Sequence, residues 1–277
     1  MASTTDTALD VLGYPLAGGL VLGLTALFGS GAGINLAFYL DAASFLIAAA
    51  LVAGVHFPSP RQNEEPVSPR VVLRMVGEGL RFVGGHKVLR ANTVVFGLGI
   101  LLVFGSWTLT FGYAEQIGAG AFGYAVLETG IGIGAVLGGL AMGRWGDRLP
   151  QGLTVLVGLL VMGLSSAPLA LIDNLWVAAV LLSIGGAGNM MALIPSITMA
   201  QAATPDQLRG RVLSFRASLF SVAFVLSNLF AGFGAEQIGV QPMWALTNLL
   251  LVAVVLLACC FRSARATIQL ETAQAPA

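Results

Sequence analysis

Apolar residues in this chain run together for about twenty positions at a time, and polar residues gather between the runs. A helix rises about 1.5 Å per residue, so about 20 apolar residues cross the hydrocarbon core of a bilayer. Eight runs reach that length, near 9–28, 34–55, 92–113, 121–142, 153–172, 175–199, 213–234 and 242–261. The pattern predicts an all-α integral membrane protein of eight transmembrane helices. Most connections are short; the long polar one covers residues 56–90 and opens with Pro58, Pro60, Pro66 and Pro69.

Composition supports that class. The chain is 57% hydrophobic and 9% charged, with mean hydropathy +0.88, against about 25% charged in soluble domains. Its net charge is zero and no basic, aromatic-interleaved patch is present, which argues against a nucleic-acid partner. Cys259 and Cys260 are adjacent and suggest neither a disulfide framework nor a metal site. Catalytic signatures such as H-E-x-x-H, a P-loop or G-x-S-x-G are absent, both histidines sit in the linker, and neither an enzyme nor a cofactor is expected. No Lys or Arg precedes the first apolar run, so a signal peptide is not expected there.

Charge then orients the chain. Arg61, Arg70, Arg74, Arg81, Lys87 and Arg90 share the linker; Arg144 and Arg148 share a second connection; Arg209, Arg211 and Arg216 a third; Arg262 and Arg265 the tail. Those are all 13 basic residues, and the alternate connections hold none. Under the positive-inside rule the basic segments are cytoplasmic, and an even number of spans puts both termini in the cytoplasm.

Several residues inside the spans invite a chemical reading. Asp41 lies about 12 Å below the outer end of the second run, and Glu128 about 9 Å inside the outer boundary of the fourth. A carboxyl group at such depth must be neutral, paired or turned toward a wet cavity. Asp41 therefore suits a proton-coupling or substrate-facing role, or a hydrogen bond to a neighbouring helix, and Glu128 a water-facing vestibule on the substrate or proton pathway. Asn189 closes the Gly185–Asn189 cluster, which with Pro195 marks a helix suited either to bending or to tight packing. Gly130, Gly134 and Gly138 recur every four residues, with Gly139 and Gly143 on an adjoining row, as in small-xxx-small helix contacts. Gly13, Pro15, Gly18 and Gly19 predict a kinked, closely packed first span.

In the linker, Ser68 and Pro69 open a helix whose Val72, Val76, Leu80 and Val83 share a face, predicting an amphipathic helix on the cytoplasmic surface. His86 reads as a surface residue. Thr204, Pro205 and Gln207 have the spacing of a capping box opening the seventh run's inner extension.

Gly143, Asp147 and Arg148 complete a G-x-x-x-D-R loop, followed by Leu156, between two apolar runs. This resembles the signature loop of the major facilitator superfamily; Gln151, Gly152 and Leu153 stand where the family's basic cluster would be, as in the weaker C-terminal copy. Gly13, Pro15, Gly18 and Gly19 are similar to the family's G-P-x-x-G-G antiporter element, with Tyr14 in place of the usual Gly. The Gly77–Arg90 linker and the P-x-x-x-R-G-R-V run at Pro205–Val212 resemble one bacterial branch, which contains enterobactin exporters, macrolide-efflux-type permeases and transmembrane secretion effectors. The resemblance implies twelve helices in two halves, of which this chain would supply five to twelve. Residues 1–55 would be the last two helices of the N-terminal half, 56–90 the central linker, 91–265 the C-terminal six-helix half and 266–277 a cytoplasmic tail. It implies a secondary transporter of the cell (inner) membrane, exporting amphipathic small molecules by proton exchange. Asp41, Glu128 and Asn189 would lie on the pathway, and Asp147 with Arg148 would form a conformational latch. The alternative is a non-transporting membrane subunit whose partner supplies the missing helices.

Overall fold

A computed structural model describes residue 20, residues 23–54 and residues 69–260. Among them, seven helices are long and apolar enough to cross a membrane. Helix α1 is Ser30–Ala53, α2 is Pro69–Gly85 and α3 is Lys87–Thr108. A short α4, Thr110–Gln116, continues α3 outward. Helix α5 is Gly120–Trp145, α6 is Gln151–Ser166, α7 is Leu175–Ala202, α8 is Asp206–Ile238 and α9 is Val240–Cys260. The described residues contain no strand. Most of the first predicted run, 9–28, the Pro-rich part of the linker at 55–68 and the tail from 261 lie outside the described residues.

Helix α7 is the axis of the bundle, with α5 on one side and α6 on the other. Its contacts are made backbone to backbone. A Cβ added at Gly130 would stand 2.7 Å from the Ala179 carbonyl oxygen, and one at Gly138 2.5 Å from that of Ala187. One at Gly134 would meet the Ser183 carbonyl oxygen head-on. The predicted row on α5 thus faces a matching row of Ala179, Ser183 and Ala187. The seam is reciprocal, because a Cβ at Gly186 would strike the Ile131 carbonyl. On the α6 side, a Cβ added at Gly158 would stand 2.6 Å from the Gly188 carbonyl oxygen, and one at Gly188 2.7 Å from that of Gly158. Gly186 and Gly188 are therefore packing residues. The adjoining row is different: Gly139 and Gly143 have open space around the Cβ position, so no neighbour approaches them.

Around this layer, α3 packs on α8 and α9, and α9 closes on α6. Phe96, Val103, Leu156, Leu159, Leu251 and Val255 fill one core. Tyr113, Leu127, Leu169, Leu182 and Trp244 fill another toward the opposite end. Many apolar side chains face outward, as lipid contact requires. Helix α1 has none of its apolar window buried by the rest of the chain.

Helix ends show how local chemistry sets the boundaries. His86 is half-buried rather than a plain surface residue; its Nδ1 accepts from the Leu89 N–H at 3.4 Å and caps α3. Asn174 caps α7, accepting from the Trp176 and Val177 N–H groups at 3.0 and 3.1 Å. The expected capping box at Thr204 does not form. Its hydroxyl donates to the Ala200 carbonyl at 2.6 Å, closing α7, and Pro205 takes the N-cap position of α8. The amphipathic α2 docks on α8 by one edge. Gly79 lies against Phe215 and the Arg211 carbonyl, Glu78 pairs with Arg211, and Val83 is buried with Leu89, Ala200 and Val212. Val76 and Leu80 stay exposed.

Overpacking a closely fitted core costs about 1–3 kcal/mol. Gly134→Val is therefore expected to lower the Tm of the detergent-purified protein, whereas Gly143→Ala leaves it unchanged. Equal thermal stability of the two variants would contradict the seam.

Candidate functional site

The three residues expected on a pathway occupy three separate helices. Asp41 is exposed on α1, where its backbone carbonyl accepts from the Ser44 hydroxyl at 2.7 Å. Glu128 is half-buried on α5, beside the fully buried Leu127. Asn189 is buried in α7, and its Nδ2 lies 3.9 Å from Met162 Sδ. No hydrogen bond joins any two of them. Asp147 and Arg148 stand exposed in a 3-10 turn, Gly146–Arg148, without an ion pair among the described residues. Gly13, Pro15, Gly18 and Gly19 lie outside the described residues. Among those described, no group of three His, Cys, Asp or Glu side chains is placed to hold a metal ion.

The most concentrated buried polar chemistry is built around Arg216 and lies elsewhere. The charge pattern assigns Arg216 to a basic connection, but the structure corrects that. Helix α8 begins at Asp206, so Arg216 lies about 15 Å along it, and the residue is only 3% exposed. Its Nη1 donates to Thr93 Oγ1 at 2.7 Å. Its Nη2 donates to Ser196 Oγ at 2.9 Å and, at 3.4 Å, toward the Ser196 carbonyl. The guanidinium lies over the Phe220 ring, 5.1 Å from its centroid, and Phe220 meets Phe96 edge-on at 5.3 Å. Asn92 Nδ2 donates to the same Ser196 carbonyl at 2.9 Å. Helices α3, α7 and α8 therefore converge on one cation through neutral oxygens. A sequence signal was present: Val212, Arg216, Phe220, Ser227 and Ala231 fall on one helical face, and all but half-buried Phe220 are buried.

Two further polar groups sit toward the opposite end. Thr108 of α3 hydrogen-bonds Asn228 of α8 beside Phe104, Trp107 and Phe224, whose rings meet edge-on at 4.8 and 5.2 Å. Beyond them, Gln241 of α9 accepts from Gln116 and donates to Asp173, each at 3.0 Å. Tyr113 donates to the Ile172 carbonyl at 2.5 Å. These bonds tie α4, the 167–174 connection and α9 together. The arrangement supplies hydrogen bonds, fixed charge and aromatic surface at several depths along a helical bundle. It suits solute binding between helices better than bond-making chemistry.

Comparison with known proteins agrees with that character. The sequence profile of the Major Facilitator Superfamily matches residues 5–218. The chain is similar to the uncharacterized MFS-type transporter YfmI of Bacillus subtilis (strain 168), 23% identical over 257 residues, covering 91% of this chain and 61% of YfmI. It is also similar to the multidrug efflux pump Tap of Mycolicibacterium fortuitum, 26% identical over 262 residues, covering 92% of this chain and 62% of Tap. The chain thus spans about three-fifths of the length of these curated relatives. A solved bacterial homologue of the human lysosomal transporter Spinster, inward-facing and unoccupied, superposes with a TM-score of 0.52 at 16% identity, over 96% of this chain and 68% of that one. That likeness speaks for the fold. A multi-pass, all-helical bundle, a profile match over most of the chain and the G-x-x-x-D-R loop lead to one assignment: the chain belongs to the Major Facilitator Superfamily.

Proposed function

We propose that this chain forms the larger part of a secondary transporter that exports amphipathic small molecules in exchange for protons. The family match over residues 5–218 is the observation that carries this reading. The efflux activity in the name of the relative Tap supports the direction of transport. In this reading α1 corresponds to the sixth of twelve helices and α3 to the seventh, in the bacterial branch that the linker and the Pro205–Val212 run resemble. Residues 1–55 then belong to the N-terminal half, 56–90 to the linker, 91–265 to the C-terminal half and 266–277 to the tail. Sequence outside the chain, or a partner, supplies the first four helices and covers the unburied face of α1. In such folds substrate binds near the midplane between the halves, whose rocking alternates access.

Asp41, Glu128 and Asn189 would face that pathway, and Asp147 with Arg148 would engage a neighbouring helix end in one of the two states. Asp41 has the strongest claim to proton coupling, since an exposed carboxyl on an apolar span demands a wet or polar neighbour. In the full-length protein, Asp41→Asn is expected to abolish efflux driven by a pH gradient while energy-independent substrate exchange stays measurable. Efflux at the wild-type rate would place the coupling group elsewhere.

The proposed orientation puts the linker and both termini in the cytoplasm of a bacterial inner-membrane protein. In a background lacking Cys259 and Cys260, Ser68→Cys is expected to resist an impermeant thiol reagent added to intact cells, and Glu115→Cys to react. The reverse labelling pattern would overturn the orientation.

A further inference from the structure

The Arg216 cluster contains a buried charge that no acidic side chain among the described residues neutralises. Among the described residues, Arg216 hydrogen-bonds to neutral oxygens of Thr93 and Ser196, and no acidic side chain pairs with it. Two acidic groups of the neighbouring elements are engaged elsewhere: Glu78 pairs with Arg74 and Arg211, and Asp206 with Arg209. A guanidinium carries five N–H donors, and the Nε–H of Arg216 makes no hydrogen bond. Beside it stands the complementary defect. Asn92 is 7% exposed and its Oδ1 is a buried acceptor without a donor. Both residues are fixed to the same Ser196 carbonyl, which places a free donor set and a free acceptor in one cluster. The cluster lies about 8–9 Å inside the ends of α3 and α7, measured from Lys87 and Ala202. Half-buried Phe220 covers one side.

A cation held away from water by neutral groups alone is costly, and a well-placed, hydrogen-bonded anion beside it offsets part of that cost. A group that satisfies both halves of the cluster must accept from the guanidinium and donate to Asn92 Oδ1. We propose that Arg216 and Asn92, held by Thr93 and Ser196, form a binding site for a small carboxylate that carries a neighbouring hydroxyl. The carboxylate takes the free guanidinium donors, and the hydroxyl donates to Asn92 Oδ1. Phe220 and Phe96 keep the site dry, which strengthens the charge-assisted bonds. The site does not depend on transport, so its failure and the failure of the transporter reading are distinguishable.

The test uses the full-length protein purified in detergent, with thermal unfolding followed at constant ionic strength during titration with sodium lactate, sodium acetate or sodium chloride. A ligand that binds only the folded state raises Tm in a saturable way. Lactate is expected to half-saturate at about fivefold lower concentration than acetate, the worth of one hydrogen bond. Chloride is expected to give no saturable shift. Arg216→Met should remove the response to both carboxylates, and Asn92→Leu should reduce lactate to the acetate level. Should Arg216→Met fail to fold, Arg216→Lys keeps the charge, loses the planar donor fork and should weaken both responses. A flat wild-type titration, an equal response to chloride, or an undiminished response in the Arg216 variant would each overturn the proposal.

Discussion

Carbonyl oxygens of α7 lie where side chains of α5 and α6 would be, and this backbone contact is the constraint on which the rest of the structure depends. Between helices in lipid there is no hydrophobic drive, because acyl chains are as apolar as leucine. Association must come from dispersion at close range and from hydrogen bonds. Gly134 against Ser183 and Gly158 against Gly188 supply the close range. With α5, α6 and α7 drawn into one layer, α3, α8 and α9 are placed around it, and α3 and α8 meet α7 where Ser196 accepts Arg216 and Asn92. In the polar cluster α3 and α8 reach α7 by hydrogen bonds, the second of these two sources of association.

Length and hydropathy made the spans legible. They require only that about 20 apolar residues cross the bilayer, and the described helices agree with the predicted runs apart from their ends. The glycine row at 130, 134 and 138 was legible for a similar reason, since helical periodicity tells which residues share a face. Periodicity does not tell whether a neighbour stands opposite. Gly139 and Gly143 share a face with nothing packed on it, and only the arrangement of the other helices decides that.

Arg216 was missed for a different physical cause. Counting basic residues treats each as exposed, and the positive-inside rule describes connections rather than burial. The helix that contains Arg216 starts at Asp206, and three neutral acceptors from two other helices make its burial tolerable. None of those partners is near it in sequence. Thr204 shows the same limit on a smaller scale: its spacing fits a cap for α8, yet its hydroxyl finds the Ala200 carbonyl behind it at 2.6 Å. Asp41, Glu128 and Asn189 were legible as polar groups within apolar spans, but their separation onto α1, α5 and α7 was not, because periodicity within one helix does not tell which helices become neighbours.

Secondary transport, as proposed, requires the bundle to move a solute without consuming ATP. Its most direct test is a flux measurement on the full-length protein in ATP-free proteoliposomes, with a pH gradient imposed across the membrane and a fluorescent amphipathic dye as solute. The account predicts dye movement that follows the sign of the gradient and stops when a protonophore collapses it. Dye distribution identical to that in protein-free vesicles, from protein shown to be folded, would contradict it.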